Sequence, residues 1–485
     1  MPTVLACPSC RTGALARRGD PLCLTCMKAS REMSPWPLWV FDSLLLREAL
    51  ARVNLAAVPA IVRAACGLSQ RDMASIAGWS PAALSYYERG QRDAVFDIRT
   101  LLQFADAVGI PRPVLLPLIL ADPDAPLTAG PWPGPDLDAN GRGAAAPAAP
   151  SGSHIKYWAA CADALYVRDR MVGGTALLRP ALRQWRLIRR ALPGPGVVAE
   201  AGQQMLATAG EMALCAGWIA LDGGRLPLAR SLCAEARELA STSGDTMLGV
   251  HALTNLSMLC AEMAGAGPSQ EPARRALRLS FQAAEEGRYL PIPRLHALIA
   301  LCRATAASLL GDKAAFQAGI SHARREMDRG PHEGDPPEWL RFVDEAEVTG
   351  VEARGYLNLG DASRSALLYR QVLAVRLSAR GRADYGARLA TVLLRQGAGQ
   401  DAVTAAEDAL LALEGGVTSI RCLNRLRLVR RAAGNAAGAD DFCERFDVIE
   451  RALAAPHLLP GDDAPLARAD VPALSGRAVL DVADE

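Results

Sequence analysis

Lysine is nearly missing from this chain of 485 residues. Lys28, Lys156 and Lys313 are the only three, so 50 of its 53 basic residues are arginine. Aromatic residues make up 5%. Strand-favouring Ile, Thr, Tyr and Phe are scarce, while alanine, leucine and arginine dominate, and that bias points to helices. No unbroken apolar run approaches the roughly 18 residues of a membrane span, so no membrane partner is expected. The opening MPTVLACPSCRTG has neither the basic nor the apolar stretch of a secretory leader, and a cytoplasmic location is expected. Catalytic signatures are also missing. The six histidines (His154, His251, His296, His322, His332, His457) form no paired metal spacing. No phosphate loop, nucleophile elbow or dinucleotide fingerprint occurs, so no enzyme activity and no catalytic residue are expected.

The net charge of +1 shows no bias of the whole chain toward polyanions. The first 120 residues differ, with 13 Arg and Lys against 9 Asp and Glu. A mildly basic N-terminal part is compatible with nucleic acid. Five segments follow from composition. Residues 1–33 are cysteine-bearing and turn-rich, and residues 42–121 read as consecutive helices. Residues 122–153 hold seven prolines and five glycines, a composition that reads as a disordered linker. Residues 154–455 are helical with glycine punctuation. Residues 456–485 read as a flexible tail.

Cys7-Pro-Ser-Cys10 is followed by Cys23-Leu-Thr-Cys26. Two C-x2-C knuckles let four thiolates meet one tetrahedral ion, so a structural Zn²⁺ in a small zinc-ribbon-like module is expected. Some thirty residues cannot build much core, and the metal would hold them folded. Disulfides, unrelated thiols, or a redox- or metal-sensing role are the alternatives. The eight scattered cysteines read as small core residues.

The most informative stretch runs from Gly67 to Ile110. Ser69 is a good N-cap with Asp72 three residues on, and Met73, Ala74, Ile76 and Ala77 give an apolar face ending at Gly78. Trp79 stands in the turn. Ser80 caps the next helix, and Pro81 occupies its first turn, where a missing N–H is harmless. Ala83, Leu84 and Tyr87 face inward before Gly90. Asp97 caps a further helix with Leu101, Leu102, Ala105 and Val108 at helical spacing. Upstream, a helix capped by Asp42 or Ser43 runs through Val53, and another spans about Val58 to Cys66; Trp36 and Trp39 read as packing residues. Two helices joined by a short glycine turn form a helix-turn-helix.

The motifs G-L-S-Q, A-x-x-A-G, S-x-x-x-x-S-x-x-E-R-G and L-L-x-x-A-x-A-x-G together resemble the Cro/phage-repressor (XRE) family of DNA-binding regulators. The resemblance implies a five-helix lambda-repressor-like domain whose helix from Ser80 lies in the major groove of double-stranded DNA. It places Gln70 and Ser80 at phosphates, and Pro81, Ala82, Ser85 and Tyr86 toward base edges. It also aligns Arg63 and Glu88 with an ion pair tying two helices together. Arg89 is the only long polar reader, and bidentate base readout needs such side chains, so thymine-methyl contacts and DNA shape would share the work. Arg71, Arg92 and Arg99 are candidate phosphate contacts.

Glycines at 224, 311, 360, 397 and 434 punctuate the C-terminal region, the last three 37 residues apart. At offsets 5, 9 and 12 from each, every residue is apolar or small: Ala229, Cys233, Ala236; Phe316, Ile320, Ala323; Ser365, Tyr369, Val372; Ala402, Ala406, Ala409; Ala439, Cys443, Phe446. Seven residues before four of them stand Gly217, Ala304, Ala353 and Ala390. A further unit is expected near Gly265 or Gly267. The pattern resembles degenerate tetratricopeptide repeats, which implies an α-superhelix with a concave surface for a peptide, a protein helix or a second subunit. The expectation for the whole chain is a mainly α, nucleoid-associated transcription regulator of the kind found in high-GC Gram-positive bacteria. It would act as a homodimer, with a repeat domain that senses a ligand or recruits a partner over a loose tether. The alternative is an interaction scaffold in which DNA binding is secondary.

Overall fold

The computed structural model describes residues 7, 22–23, 44–89, 98–108, 152–192, 200–266, 269–329, 336–433 and 439–453. Among them there are helices and no strands. Cys10, Cys26, Trp36, Trp39, Arg92, Asp97 and almost all of the 122–153 segment lie outside the described residues.

The N-terminal module has five described helices: α1 (Leu44–Ala51), α2 (Ala57–Ala65), α3 (Gln70–Ala77), α4 (Pro81–Arg89) and α5 (Ile98–Val108). Helix α1 stops two residues earlier than its periodicity predicts, because Val53 takes a left-handed φ of 53° and turns the chain. A capping box starts α3: Asp72 N donates to Ser69 Oγ at 3.1 Å, and Ser69 N donates to Asp72 Oδ2 at 3.3 Å. Gly78 ends it at φ 69°, a conformation that strains any residue with a Cβ. Met73, Ala74 and Leu84 meet Leu101, Phe104, Ala105 and Val108 in a closed core, each 0% exposed. Trp79 plugs it, stacked on Phe104 at 5.6 Å and tilted against Tyr87 at 5.0 Å.

The C-terminal region opens with α6 (Gly152–Val172) and α7 (Gly174–Arg190). Helix α6 therefore takes in Gly152 and Ser153, the last two residues of the expected linker. Six antiparallel helix pairs follow: α8 (Glu200–Asp222) with α9 (Leu226–Ser243), α10 (Thr246–Ala266) with α11 (Glu271–Glu286), and α12 (Pro293–Leu309) with α13 (Lys313–Asp328). The last three are α14 (Glu345–Asn358) with α15 (Ala362–Leu373), α16 (Ala379–Arg395) with α17 (Gly399–Glu414), and α18 (Ile420–Ala433) with α19 (Asp440–Leu453). The pair α10–α11 is the degenerate unit expected between Gly224 and Gly311. Every stripe residue is buried apart from Cys443, which is half-buried. Among the described residues, one apolar window, Gly202–Asp222, is long enough to cross a membrane by length and composition, and 72% of it is buried, as befits a core helix of the array.

Two features depart from an open superhelix on a loose tether. First, the N-terminal module packs directly on α6. Tyr157 donates its hydroxyl to the Val108 carbonyl at 2.5 Å, and Ser153 Oγ donates to Asp72 Oδ1 at 2.9 Å. Tyr157 and Trp158 are buried and belong to an apolar cluster that runs on into α2, α3 and α5. Second, the array closes on itself. Thr418 N donates to the Val172 carbonyl at 2.6 Å, and Thr175 N donates to the Thr418 carbonyl at 2.9 Å. Gly173, at φ 76°, permits this approach, since a Cβ there would stand 3.3 Å from both Ser419 N and the Thr418 carbonyl carbon. The expected concave groove is thus partly filled from within. The connector before α14 lays Trp339, Leu340 and Val343 into it, and Trp339 stacks on His251 of α10 at 3.6 Å.

Candidate DNA-reading surface

The position of α4 is set by one buried ion pair. Arg63 on α2 donates Nε to Glu88 Oε1 at 2.8 Å and its second nitrogen to Oε2 at 2.9 Å. The two residues are 1% and 3% exposed. A two-pronged guanidinium–carboxylate contact fixes both distance and rotation, so α4 cannot roll about its axis without breaking it. Gln70 adds a third donor, its Nε2 reaching Glu88 Oε2 at 2.7 Å. That contact turns the Gln70 amide inward, away from the phosphate role the resemblance gives it. The Arg63–Glu88 pair also means that Glu88 orients α4 from inside and is not part of its outward face.

With Leu84 and Glu88 held inside, Pro81, Ala82 and Tyr86 emerge on the opposite side, exposed. Ser80 is exposed and its hydroxyl accepts from Ala83 N at 3.1 Å, which caps α4. Ser85 is half-buried. Arg89 folds back along the helix: its Nε donates to the Ser85 carbonyl at 2.9 Å, and its guanidinium carbon lies 5.4 Å from the Tyr86 ring centroid. The presented face is therefore an aromatic ring with a guanidinium beside it, flanked by two small apolar residues. Arg71 on α3 and Arg99 on α5 are exposed.

Residues 55–118 match the family model of a helix-turn-helix domain. No curated protein matches the chain. The matched stretch takes in α2 to α5 and gives the chain a helix-turn-helix DNA-binding module, in which α4 is the helix that follows the glycine turn.

The cysteine module contributes three described residues. Cys7, Leu22 and Cys23 are buried in the same apolar cluster as α1 and α2. Cys23 N lies 3.3 Å from Cys7 Sγ and donates to it. The first cysteines of the two knuckles are therefore adjacent, and a backbone donor aimed at a sulfur suits a thiolate. Cys10 and Cys26 lie outside the described residues, and among the described ones two thiols, those of Cys7 and Cys23, stand together with no third metal-ligating side chain beside them.

A second polar centre, inside the array, has no sequence signature. Glu262 of α10 is surrounded by Arg354 of α14, Arg388 of α16 and Arg421 and Arg425 of α18, at 3.2–3.9 Å. Burial would raise its carboxyl, but the four guanidiniums bring it down to about 2. Asp384 accepts from Arg388 at 2.7 Å and Arg425 at 2.8 Å and is held well below the usual carboxylate range, against its burial. Asp222 pairs with Arg421 at 3.3 Å and Arg380 at 3.6 Å. These groups lock α8, α10, α14, α16 and α18 to one another across the interior. Each arginine alone reads in sequence as a solvated surface charge, and only the closure of the array brings them together.

Proposed function

We propose that this chain is a sequence-specific transcription regulator of the Cro/phage-repressor type, with a tetratricopeptide-like array as its sensing or partner-recruiting domain. The observation that carries this reading is the two-pronged Arg63–Glu88 lock, which leaves Tyr86, Pro81 and Ala82 facing outward from the second helix of a helix-turn-helix. The direct packing of that module on α6 favours transmission through contact over a flexible tether. A structural Zn²⁺ held by Cys7, Cys10, Cys23 and Cys26 would staple the N-terminal module, and a homodimer would read two half-sites roughly 34 Å apart.

The decisive experiment is a genome-wide footprint of the full chain, followed by titration of a recovered site at several salt concentrations. A regulator gives a recurring sequence bound far more tightly than bulk DNA, with affinity falling as salt rises. The scaffold reading gains from a presented face with no free Asn, Gln or Arg, and it would be adopted if the footprint showed no recurring sequence.

A further inference from the structure

The polar centre inside the array holds more than a structural lock requires. Five guanidiniums, those of Arg354, Arg380, Arg388, Arg421 and Arg425, share four carboxylates, Glu262, Asp384, Asp222 and Asp169. The next acid, Glu347, is engaged elsewhere, accepting from the Tyr385 hydroxyl at 2.6 Å. Three of the ion pairs stand beyond hydrogen-bond reach: Arg380 to Asp222 at 3.6 Å, Arg388 to Glu262 at 3.7 Å and Arg421 to Glu262 at 3.9 Å. A polar gap of that width is one that a bridging oxygen closes. The crowding of like charges shows at Arg425, whose guanidinium is held below its ordinary range by burial and by Arg388.

The donors are within reach of solvent. The side chains of Arg380, Arg388 and Arg421 keep 13–14% of their surface open, and Glu262 keeps 24%. In Arg380 and Arg421 the atom closed off is Nε, which is buried without a partner. Trp218 lies under both guanidiniums, with its ring centroid 5.9 and 5.2 Å from their central carbons. A guanidinium stacked in this way still donates from its edge. The terminal nitrogens of the three side chains converge: Arg380 and Arg421 share Asp222 Oδ1, and Arg421 and Arg388 share Glu262 Oε1. Planar forks of this kind match the oxygens of phosphate or carboxylate. Glu262 narrows the choice. Its carboxyl, brought down to about 2, stays ionised and can only accept. An oxyanion seated among these arginines beside Glu262 must therefore bring a proton of its own, as hydrogen phosphate does and as sulfate and carboxylates do not.

We propose that the interior of the array binds a phosphate that keeps one proton, with its anionic oxygens on Arg380, Arg388 and Arg421 and its P–OH donating to Glu262. The phosphate is either free or the head of a small phosphomonoester. This inference rests on the reading of the array as a sensor and gives it a ligand chemistry. Arg380 also holds Asp169 of α6 at 2.9 Å, and α6 holds the DNA-binding module through Ser153 and Tyr157. A phosphate that draws on Arg380 therefore acts on the helix that carries the module.

The test is calorimetric titration of the full chain at about pH 6.5, where methyl phosphate still carries part of its proton, with inorganic phosphate, methyl phosphate, sulfate and acetate. Saturable binding of phosphate alone marks a free-phosphate site, and binding of methyl phosphate marks a site for esters. Both support the proposal, with sulfate and acetate at least about tenfold weaker. Arg421→Gln should weaken phosphate binding by about ten- to a hundredfold. Should that variant fail to fold, Glu262→Gln supplies the check. An amide donates as well as accepts, so sulfate should then bind within about threefold of phosphate. Binding of neither phosphate, binding of sulfate or acetate as tight as that of phosphate, full affinity in a folded Arg421→Gln chain, or an undiminished preference over sulfate in Glu262→Gln would overturn it. DNA affinity, measured in parallel, separates the two readings. Phosphate binding without DNA binding sinks only the regulator, and DNA binding without phosphate binding sinks only this site.

Discussion

Tyr157 and Val108 join the two halves of the molecule through one buried hydrogen bond, hydroxyl to carbonyl, at 2.5 Å. Val108 is the last residue of α5, where carbonyls lack partners within the helix, and Tyr157 is 1% exposed. The contact therefore both caps the DNA-binding module and anchors it to the array.

Tyr157→Phe keeps the ring and deletes the donor. The Val108 carbonyl would be left buried and unpaired, a loss of about 1–3 kcal/mol. Amide hydrogen exchange should speed up in residues 98–108 while α8 to α19 keep their protection. Unchanged exchange in α5 would show that the module holds its place without this bond.

Glu88→Gln should destabilise the helix-turn-helix by about 3–5 kcal/mol, because it strands the Arg63 guanidinium in the core. The companion variant Arg63→Met with Glu88→Leu removes both charges and should recover most of that loss. Chemical denaturation of both variants checks the pair. Equal losses in the single and double variants would mean that packing, not charge, is what matters there.

Glu262 supplies a pH test. Its folded carboxyl titrates at about 2, below the ordinary value of 4.5. A group lowered on folding stabilises the folded chain above its unfolded pKa, and that stabilisation fades as pH falls toward the folded one. The array should therefore lose stability between about pH 4.5 and 2, and Glu262→Gln should flatten that part of the curve. A variant with the same acid profile as the parent would show that Glu262 does not hold the arginines together.

Legibility in the sequence tracks how local each feature is. The glycine turns follow from short-range geometry: Gly224, Gly311, Gly360 and Gly397 all take left-handed φ values of 76–86°. The close approach at Gly217, where a Cβ would stand 3.0 Å from Cys233 Sγ, follows from the repeat spacing. The capping box at Ser69 and Asp72 is local too. The closure through Thr418 and Val172 spans 246 residues, and Arg425 reaches Glu262 across 163. No periodicity links such positions, and an arginine on a helix reads the same whether it faces water or a buried carboxylate. Gln70 shows the limit on the DNA side. Its place at the start of α3 is clear from sequence, but its inward turn onto Glu88 depends on the tertiary lock.

Zinc analysis tests the cysteine module. Purified protein should hold about one zinc per chain, as four thiolates complete a closed tetrahedral site. Cys7→Ser with Cys23→Ser should abolish it and expose α1 to proteolysis, because Cys7, Leu22 and Cys23 share its apolar cluster. Full zinc retention in that double variant would remove the metal from the account.

The residues proposed to face DNA divide by what they can reach. Arg71 is exposed at the start of α3, and a guanidinium that contacts phosphate carries no sequence information. Arg71→Ala should weaken binding to all sequences alike and lower the salt slope by about one. Tyr86, 41% exposed with the Arg89 guanidinium beside its ring, is the large side chain on the outward face of α4. Tyr86→Ala should alter which bases are preferred, at about 1–3 kcal/mol for a good base contact, and leave the salt slope unchanged. Arg89 must first leave the Ser85 carbonyl to reach a base edge, so Arg89→Ala should cost less than Tyr86→Ala unless DNA draws it out. Selection from a random DNA pool with the parent and each variant reads preference and affinity together. If the triple variant Ser85→Ala, Tyr86→Ala, Arg89→Ala selects the same sequences as the parent, α4 is not the reader. Sequence choice must then come from another element, because the two groups left on that face, Pro81 and Ala82, have no hydrogen-bonding side chain with which to tell one base from another.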